Sequence, residues 1–104
     1  MTKRLDASLK LSLPRALTPR VVDHLLQHPD RVGPFTMYRV EGHGDPEGIA
    51  SAAEKVRGYA DRMQIEILMD SSHVADLLAD LRADLPSRDV VWWLGPVLQT
   101  GTLG

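Results

Sequence analysis

Residues 5–13 alternate without interruption. Leu5, Ala7, Leu9, Leu11 and Leu13 are apolar, and Asp6, Ser8, Lys10 and Ser12 between them are polar. Successive side chains of a strand point to opposite faces, so this period of two marks a half-buried strand. The chain therefore has to build a sheet with one covered face. Pro14 closes the segment.

The rest of the chain supplies the cover and the neighbouring strands. Thr18 is a suitable N-cap and Pro19 suits the first helical position, after which Val21, Val22, Leu25 and Leu26 share one helix face up to Pro29. Residues 30–34 read as a turn. Residues 35–41 form a predicted second strand with apolar groups on both sides, which points to a central position or cover on both faces. Met63, Ile65, Ile67 and Met69 alternate with Arg62, Gln64, Glu66 and Leu68 in a third strand over 62–69. Asp70, Ser71 and Ser72 can cap a second helix, whose apolar face is Val74, Leu77, Leu78, Leu81 and Leu85. Pro86 and Ser87 turn the chain. Residues 90–94, with Trp92 and Trp93, form a continuous apolar run that reads as a buried strand, and Gly95-Pro96 breaks or bends it. Val97 and Leu98 suggest a short last strand before a polar tail, 99–104.

Between strands two and three lies a connection over 42–61 with Gly42, Gly44, Gly48, Gly58 and Pro46, in which 49–56 has the pattern of a short helix. A connection beyond about 12–15 residues is unusual in a compact domain and commonly functional. The predicted order is β-α-β-β-α-β, the split βαβ arrangement of an α+β, ferredoxin-like sandwich, in a single domain spanning 1–104. Both helices then cover one sheet face. The other is left open with some apolar side chains on it, which predicts a homo-oligomer.

Composition removes several functions. There is no cysteine, so disulfides, thiolate metal sites and cysteine nucleophiles are excluded. The net charge of −2 comes from 12 basic and 14 acidic residues intermixed, and nothing in that balance calls for nucleic acid. The first twenty residues lack the apolar core of a signal peptide and no stretch is long enough to span a bilayer, so the expected compartment is the cytoplasm, without membrane insertion. No serine or threonine has a triad context and the carboxylates are scattered, so the expectation is a binding protein and not an enzyme.

Four groups of residues bear on what is bound. Gly42-His43-Gly44-Asp45 reads either as a flexible turn needing positive φ or as an anion cradle flanked by a titratable pair. Arg39, Lys55, Arg57 and Arg62 flank the long connection. They form either a solvated charged face or a site for a phosphate or carboxylate, with Arg39 and Arg62 meeting across adjacent strands. His24 and His28, four apart on the first helix, have a spacing that can ligate a metal if a further ligand such as Asp23 joins them; surface histidines near a helix end are the plainer reading. Trp92 and Trp93 point to opposite faces, for packing foremost and for ring stacking second.

The order of elements, together with Val40-Glu41-Gly42-His43-Gly44, the third strand 62–69, Ala53-Glu54-Lys55-Val56-Arg57-Gly58, the paired tryptophans and the Val97-Leu98-Gln99-Thr100-Gly101 tail, resembles the PII-like superfamily. It is most similar to a small bacterial PII-like family of unknown function whose genes often lie beside heavy-metal efflux systems. The likeness covers about residues 5 to 101. It implies a trimer with sheets facing inward and a T-loop-like connection over 42–61. It also implies a small anionic effector, such as an adenine nucleotide, bound between subunits, and a partner such as a membrane transporter or efflux component that reads the loop. Arg39, Gly42, His43, Gly44, Lys55, Arg57 and Arg62 would then serve the ligand or the partner. No cofactor is required. The alternative implied by the gene neighbourhood is a heavy-metal-binding or tolerance protein using His43, Asp45, His24 and His28 on a divalent metal. Nucleotide-binding PII proteins have a Gly-rich, Lys-bearing loop after the second helix; here the stretch is Leu85-Pro86-Ser87-Arg88-Asp89, without glycine or lysine.

Overall fold

The computed structural model describes residues 4–44 and 59–104. Four strands, β1 (Ala7–Pro14), β2 (Phe35–Gly42), β3 (Ala60–Met69) and β4 (Val91–Pro96), form one sheet in the order β2-β3-β1-β4, every pair antiparallel. Helix α1 (Thr18–Leu26) follows β1 and α2 (Val74–Asp84) follows β3. This is the ferredoxin-like α+β architecture expected from the order of elements.

The register shows how the alternation was used. Leu9 lies opposite both Ile67 and Leu94, and Leu11 opposite both Ile65 and Trp92. Opposed residues share a face, so the odd positions of β1 and β3 form the helix-covered side. Leu9, Leu11, Leu13, Ile65, Ile67 and Met69 are buried there beneath Val21 and Leu25 of α1 and Val74, Leu77 and Leu81 of α2. The even positions face the other way. At the centre of that open face they are polar: Glu66 accepts from Ser8 Oγ at 2.9 Å and lies 3.7 Å from Lys10 Nζ. Tyr38 and Val40 on β2, and Val91 and Trp93 on β4, bring apolar groups to its two margins.

Several boundaries differ from the sequence pattern. Pro14 stays within β1, opposite Arg62. Thr18 is the first residue of α1 and not its cap; a 3₁₀ turn, Arg15–Leu17, leads in, and Pro19 falls within the first turn. β2 and the tryptophan strand are the two sheet edges, not central or buried elements, and β4 runs through Gly95 and Pro96. Met37, Tyr38, Val91, Trp92, Trp93 and Leu94 are each exposed by 43% or more, so apolar side chains on both faces here mark uncovered edges. Val97 and Leu98 form no strand; Val97 N–H donates to Asp6 O at 3.0 Å and the chain runs on irregularly. The short helix expected at 49–56 lies outside the described residues. Among the described residues no helix is long and apolar enough to cross a membrane.

Two carboxylates fasten the start of the second helical segment. Asp6 accepts from Ser71 N at 2.8 Å and from Ser71 Oγ at 3.0 Å. Asp70 accepts from Ser72 Oγ at 2.7 Å and from Ser72 N at 2.9 Å. Hydrogen bonds to the charged form, led by the Ser71 backbone N–H for Asp6 and by the Ser72 hydroxyl for Asp70, hold both carboxyls below their ordinary value of 3.8. A carboxyl depressed in the folded state adds stability above its unfolded pKa and loses it as pH falls through the folded one. Thermal midpoints of Asp6→Asn and Asp70→Asn should therefore fall less steeply than wild type as pH drops below about 4. Parallel curves in a melting series would show that neither bond is linked to folding.

Candidate functional site

Antiparallel pairing gathers four strand ends at one end of the sheet. The end of β1 (Ser12–Pro14), the end of β2 at Gly42, the start of β3 at Ala60–Arg62 and the start of β4 at Val91 all meet there. Both the long connection between β2 and β3 and the α2–β4 loop spring from this end.

Arg62 ties these parts together. It projects from the open face of β3, where Val40 is its partner on β2 and Pro14 its partner on β1. Its Nε donates to Ser12 Oγ at 3.0 Å, and Nη2 donates to Ser12 O at 2.8 Å and Asp89 O at 2.6 Å. Its aliphatic stem crosses Gly42: a Cβ there would lie 2.7 Å from Arg62 Cδ. Gly42 is thus required by close approach. Gly44 adopts φ +86°, the left-handed region that glycine enters without strain. Between them His43 is exposed. Its Nε2 lies 3.1 Å from Glu41 Oε1 and its ring is 5.5 Å from that of Tyr59.

Arg39 and Arg62 do not converge. Arg39 lies opposite Met63 and Arg62 opposite Val40, so their side chains leave opposite faces of the sheet. Asp45, Lys55 and Arg57 lie outside the described residues.

On the helix-covered face, at this same end, is a groove of about 400 Å³. It is lined by Leu11 of β1, Val21 of α1, Leu78, Leu81 and Leu85 of the α2 segment, and Pro86, Ser87 and Val90 of the loop that follows. Trp92 closes one side, and Arg82 and Arg88 complete the lining. Trp92 does point to the helix side and Trp93 to the open side, but Trp92 is 45% exposed because β4 is an edge. It is a wall of the groove, not a core residue. A largely apolar groove with a few placed polar groups is the usual form of a small-molecule site. An aromatic wall with two guanidinia suits a flat ring that carries an anionic group. Arg82 and Arg88 were not among the residues singled out from the sequence. Only the folding of the α2–β4 loop over Trp92 brings them to one place.

The histidines separate into distinct places. His24 of α1 and His28, which lies beyond the end of that helix and not on it, face α2, with ring centroids 4.9 Å apart. Asp80 of α2 joins them, and Asp23, the neighbour suggested by spacing, is exposed. His43 stands with Glu41 at the end of β2.

Comparison with known proteins agrees with the fold. A family model described as "Protein of unknown function (DUF3240)" matches residues 3–104. No curated protein matches the chain. Among solved structures, a DUF3240 family protein from Shewanella baltica is 21% identical, with 97% of this chain and 99% of that one covered and a TM-score of 0.76. CPII, a nitrogen regulatory PII-like protein from Thiomonas intermedia bound to ADP, AMP and bicarbonate, is 17% identical over 93% of each chain with a TM-score of 0.69. A protein described as a candidate PII-like signaling protein from Thermus thermophilus is 13% identical over 88% of this chain and 86% of that one, with a TM-score of 0.62. At these identities the likeness establishes the fold as PII-like and ferredoxin-like.

Proposed function

This chain belongs to the DUF3240 family, and from that membership, its PII-like fold and the groove beside Trp92 we propose that it is a regulatory protein that binds a small anionic effector, an adenine nucleotide foremost. The observation that carries this reading is the groove itself. Trp92 offers a stacking face, the leucines and Val21 an apolar bed, and Arg82 and Arg88 the cationic partners for phosphate. These arginines take the place of the absent Gly-rich, Lys-bearing loop. CPII, similar in fold, binds ADP, AMP and bicarbonate, which supports the ligand class.

The working unit in this reading is a cytoplasmic homotrimer. The exposed apolar margins on β2 and β4 are what such an assembly would cover. The effector occupies the groove, which in the trimer a neighbouring subunit completes at the end of the sheet where Arg62, Gly42 and Gly44 border the long connection. Arg39 adds a cation on the face opposite Arg62. Lys55 and Arg57, on the connection, meet the ligand or a partner, and a membrane transporter is the partner this reading favours. In this reading the protein acts by binding and not by catalysis.

Titration calorimetry with ATP, ADP and AMP, with and without bicarbonate, tests the reading. Base–aromatic stacking contributes about 1–3 kcal/mol by alanine substitution. Trp92→Ala should therefore weaken nucleotide binding by about 5- to 150-fold, and Trp93→Phe should leave it nearly unchanged. Absence of heat and of any thermal shift with all three nucleotides would exclude the nucleotide. A sedimentation mass of one subunit would exclude the site between subunits.

A further inference from the structure

Helix α1 ends at Leu26, and His28 opens the next turn, its N–H donating to Leu25 O at 3.2 Å and its carbonyl accepting from Arg31 N at 3.1 Å and Val32 N at 2.9 Å. That fixes His28 one turn beyond His24, facing Asp80 and Asp84, which lie one turn apart on α2. One ring nitrogen of each histidine and one Asp80 carboxylate oxygen all lie within 4.8 Å of one another.

The hydrogen bonds assign the lone pairs. His24 Nδ1 is 3.3 Å from Asp84 Oδ2, and a carboxylate can only accept, so Nδ1 carries the proton. In the neutral ring Nε2 then keeps a lone pair. His24 is only 9% exposed, and Nε2 is buried without a hydrogen-bond partner. Buried polar atoms are nearly always paired, so an orphaned imidazole nitrogen beside two further donors requires an explanation. His28 Nδ1 lies 3.0 Å from Arg31 Nη2, which also lies 2.5 Å from Asp80 Oδ2. A guanidinium does not give up its proton, so His28 Nδ1 accepts. A cation of the chain itself thus occupies two of the three acceptors.

We propose that His24 Nε2, His28 Nδ1 and Asp80 form a binding site for a divalent transition-metal cation, Zn²⁺ in the first instance, with Arg31 as the resident cation that the metal displaces. Two imidazoles and a carboxylate suit Zn²⁺ better than the hard cations, which prefer oxygen ligands alone. Asp84 behind His24 is the partner that a metal-bound histidine usually has on its other nitrogen. Bonds of about 2.0–2.1 Å in a tetrahedron place ligand atoms about 3.4 Å apart, so the three donors must close by roughly an ångström. His28 beyond the helix end and the Asp80 side chain can supply this once Arg31 withdraws, and water takes the fourth position.

The test is calorimetric titration of the untagged full chain with Zn²⁺ near neutral pH. Arg31→Gln should tighten binding by about tenfold or more, since it removes a competitor. His24→Gln and His28→Gln should abolish it, Asp84→Asn should weaken it by about 10–100-fold, and His73→Ala should leave it as in wild type. Circular dichroism establishes that each variant is folded, and imidazole ¹⁵N spectra of wild type should show Zn²⁺ moving His24 Nε2 and His28 Nδ1. Zn²⁺ behaviour that is the same in wild type and Arg31→Gln overturns the proposal. So does binding that survives His24→Gln and vanishes in His43→Ala, which would place the metal at the long connection.

Discussion

Gly33→Ala should lower the thermal midpoint by on the order of 10–20 °C. A Cβ at Gly33 would lie 1.8 Å from the Leu68 carbonyl oxygen, 2.9 Å from its carbon and 3.1 Å from Leu5 Cδ2. The carbonyl cannot yield cheaply. Leu68 N donates to Pro34 O at 3.0 Å, and the residues on either side of Leu68 are paired to β1 through Ile67–Leu9 and Met69–Ala7. Overpacking a core costs about 1–3 kcal/mol, and a collision with sheet backbone belongs at or above the top of that range. In a domain of this size each kcal/mol moves the midpoint by about 4–8 °C. A melting curve followed by circular dichroism checks it. An unchanged midpoint would show that the turn before β2 can lift away from β3 at no cost.

Arg62→Ala should destabilise the fold by about 2–3 kcal/mol and loosen the α2–β4 loop. Hydrogen bonds made by a charged donor contribute about 1.5–3 kcal/mol each, and three from one guanidinium do not add. The loss removes the bonds to Ser12 Oγ and O and frees the loop at Asp89. Amide exchange at residues 87–90 should accelerate more than that of β1 and β3. Arg62→Lys should recover little, because an ammonium cannot reproduce the planar fork that reaches Ser12 and Asp89 together. Gly42→Ala should be costly in wild type and nearly neutral beside Arg62→Ala, since its Cβ then meets no arginine stem. Equal costs in the two backgrounds, read from a double-mutant cycle, would show that Gly42 is not there to let Arg62 pass.

What could be read from the chain follows from period and parity. The alternation of β1 and β3 places Leu9, Leu11, Ile65 and Ile67 in the core, and the adjacency of Trp92 and Trp93 already separates their faces. Position in the sheet could not be read in this way. Residues 35–41 and 90–94 are apolar on both sides, as a central strand would be, yet both are edges. Interior and interface select the same side chains, and only the pairing distinguishes them. Arg39 and Arg62 failed to meet for a related reason: their relative parity depends on the register of β2 against β3, and the length of the intervening connection does not reveal it. Likewise, local spacing nominated Asp23 as a partner for His24 and His28. Asp80 comes from 52 positions beyond His28, and only the docking of α2 on α1 brings it near. The groove beside Trp92 has no sequence signal of its own, because its arginines come from α2 and the following loop and not from a glycine-rich motif.

The order β2-β3-β1-β4 has a consequence for how the chain is made. β1 never pairs with β2, the next strand to be synthesised; its neighbours are β3 and β4. Ala7 waits for Met69, and Ser12 for Gln64 and Val91. At about 5–20 residues per second of translation, β1 with its Leu9–Leu11–Leu13 stripe therefore leaves the ribosome several seconds before any strand can pair beside it. Only α1 is available as shelter in that interval. β1 stays unpaired until β3 emerges. The span between β2 and β3 delays that moment in proportion to its length, while the entropic cost of closing it grows only logarithmically, by about 0.6 kcal/mol per doubling. Lengthening that span would be felt first in the time an aggregation-prone strand spends unpaired, and hardly at all in the stability of the finished sheet.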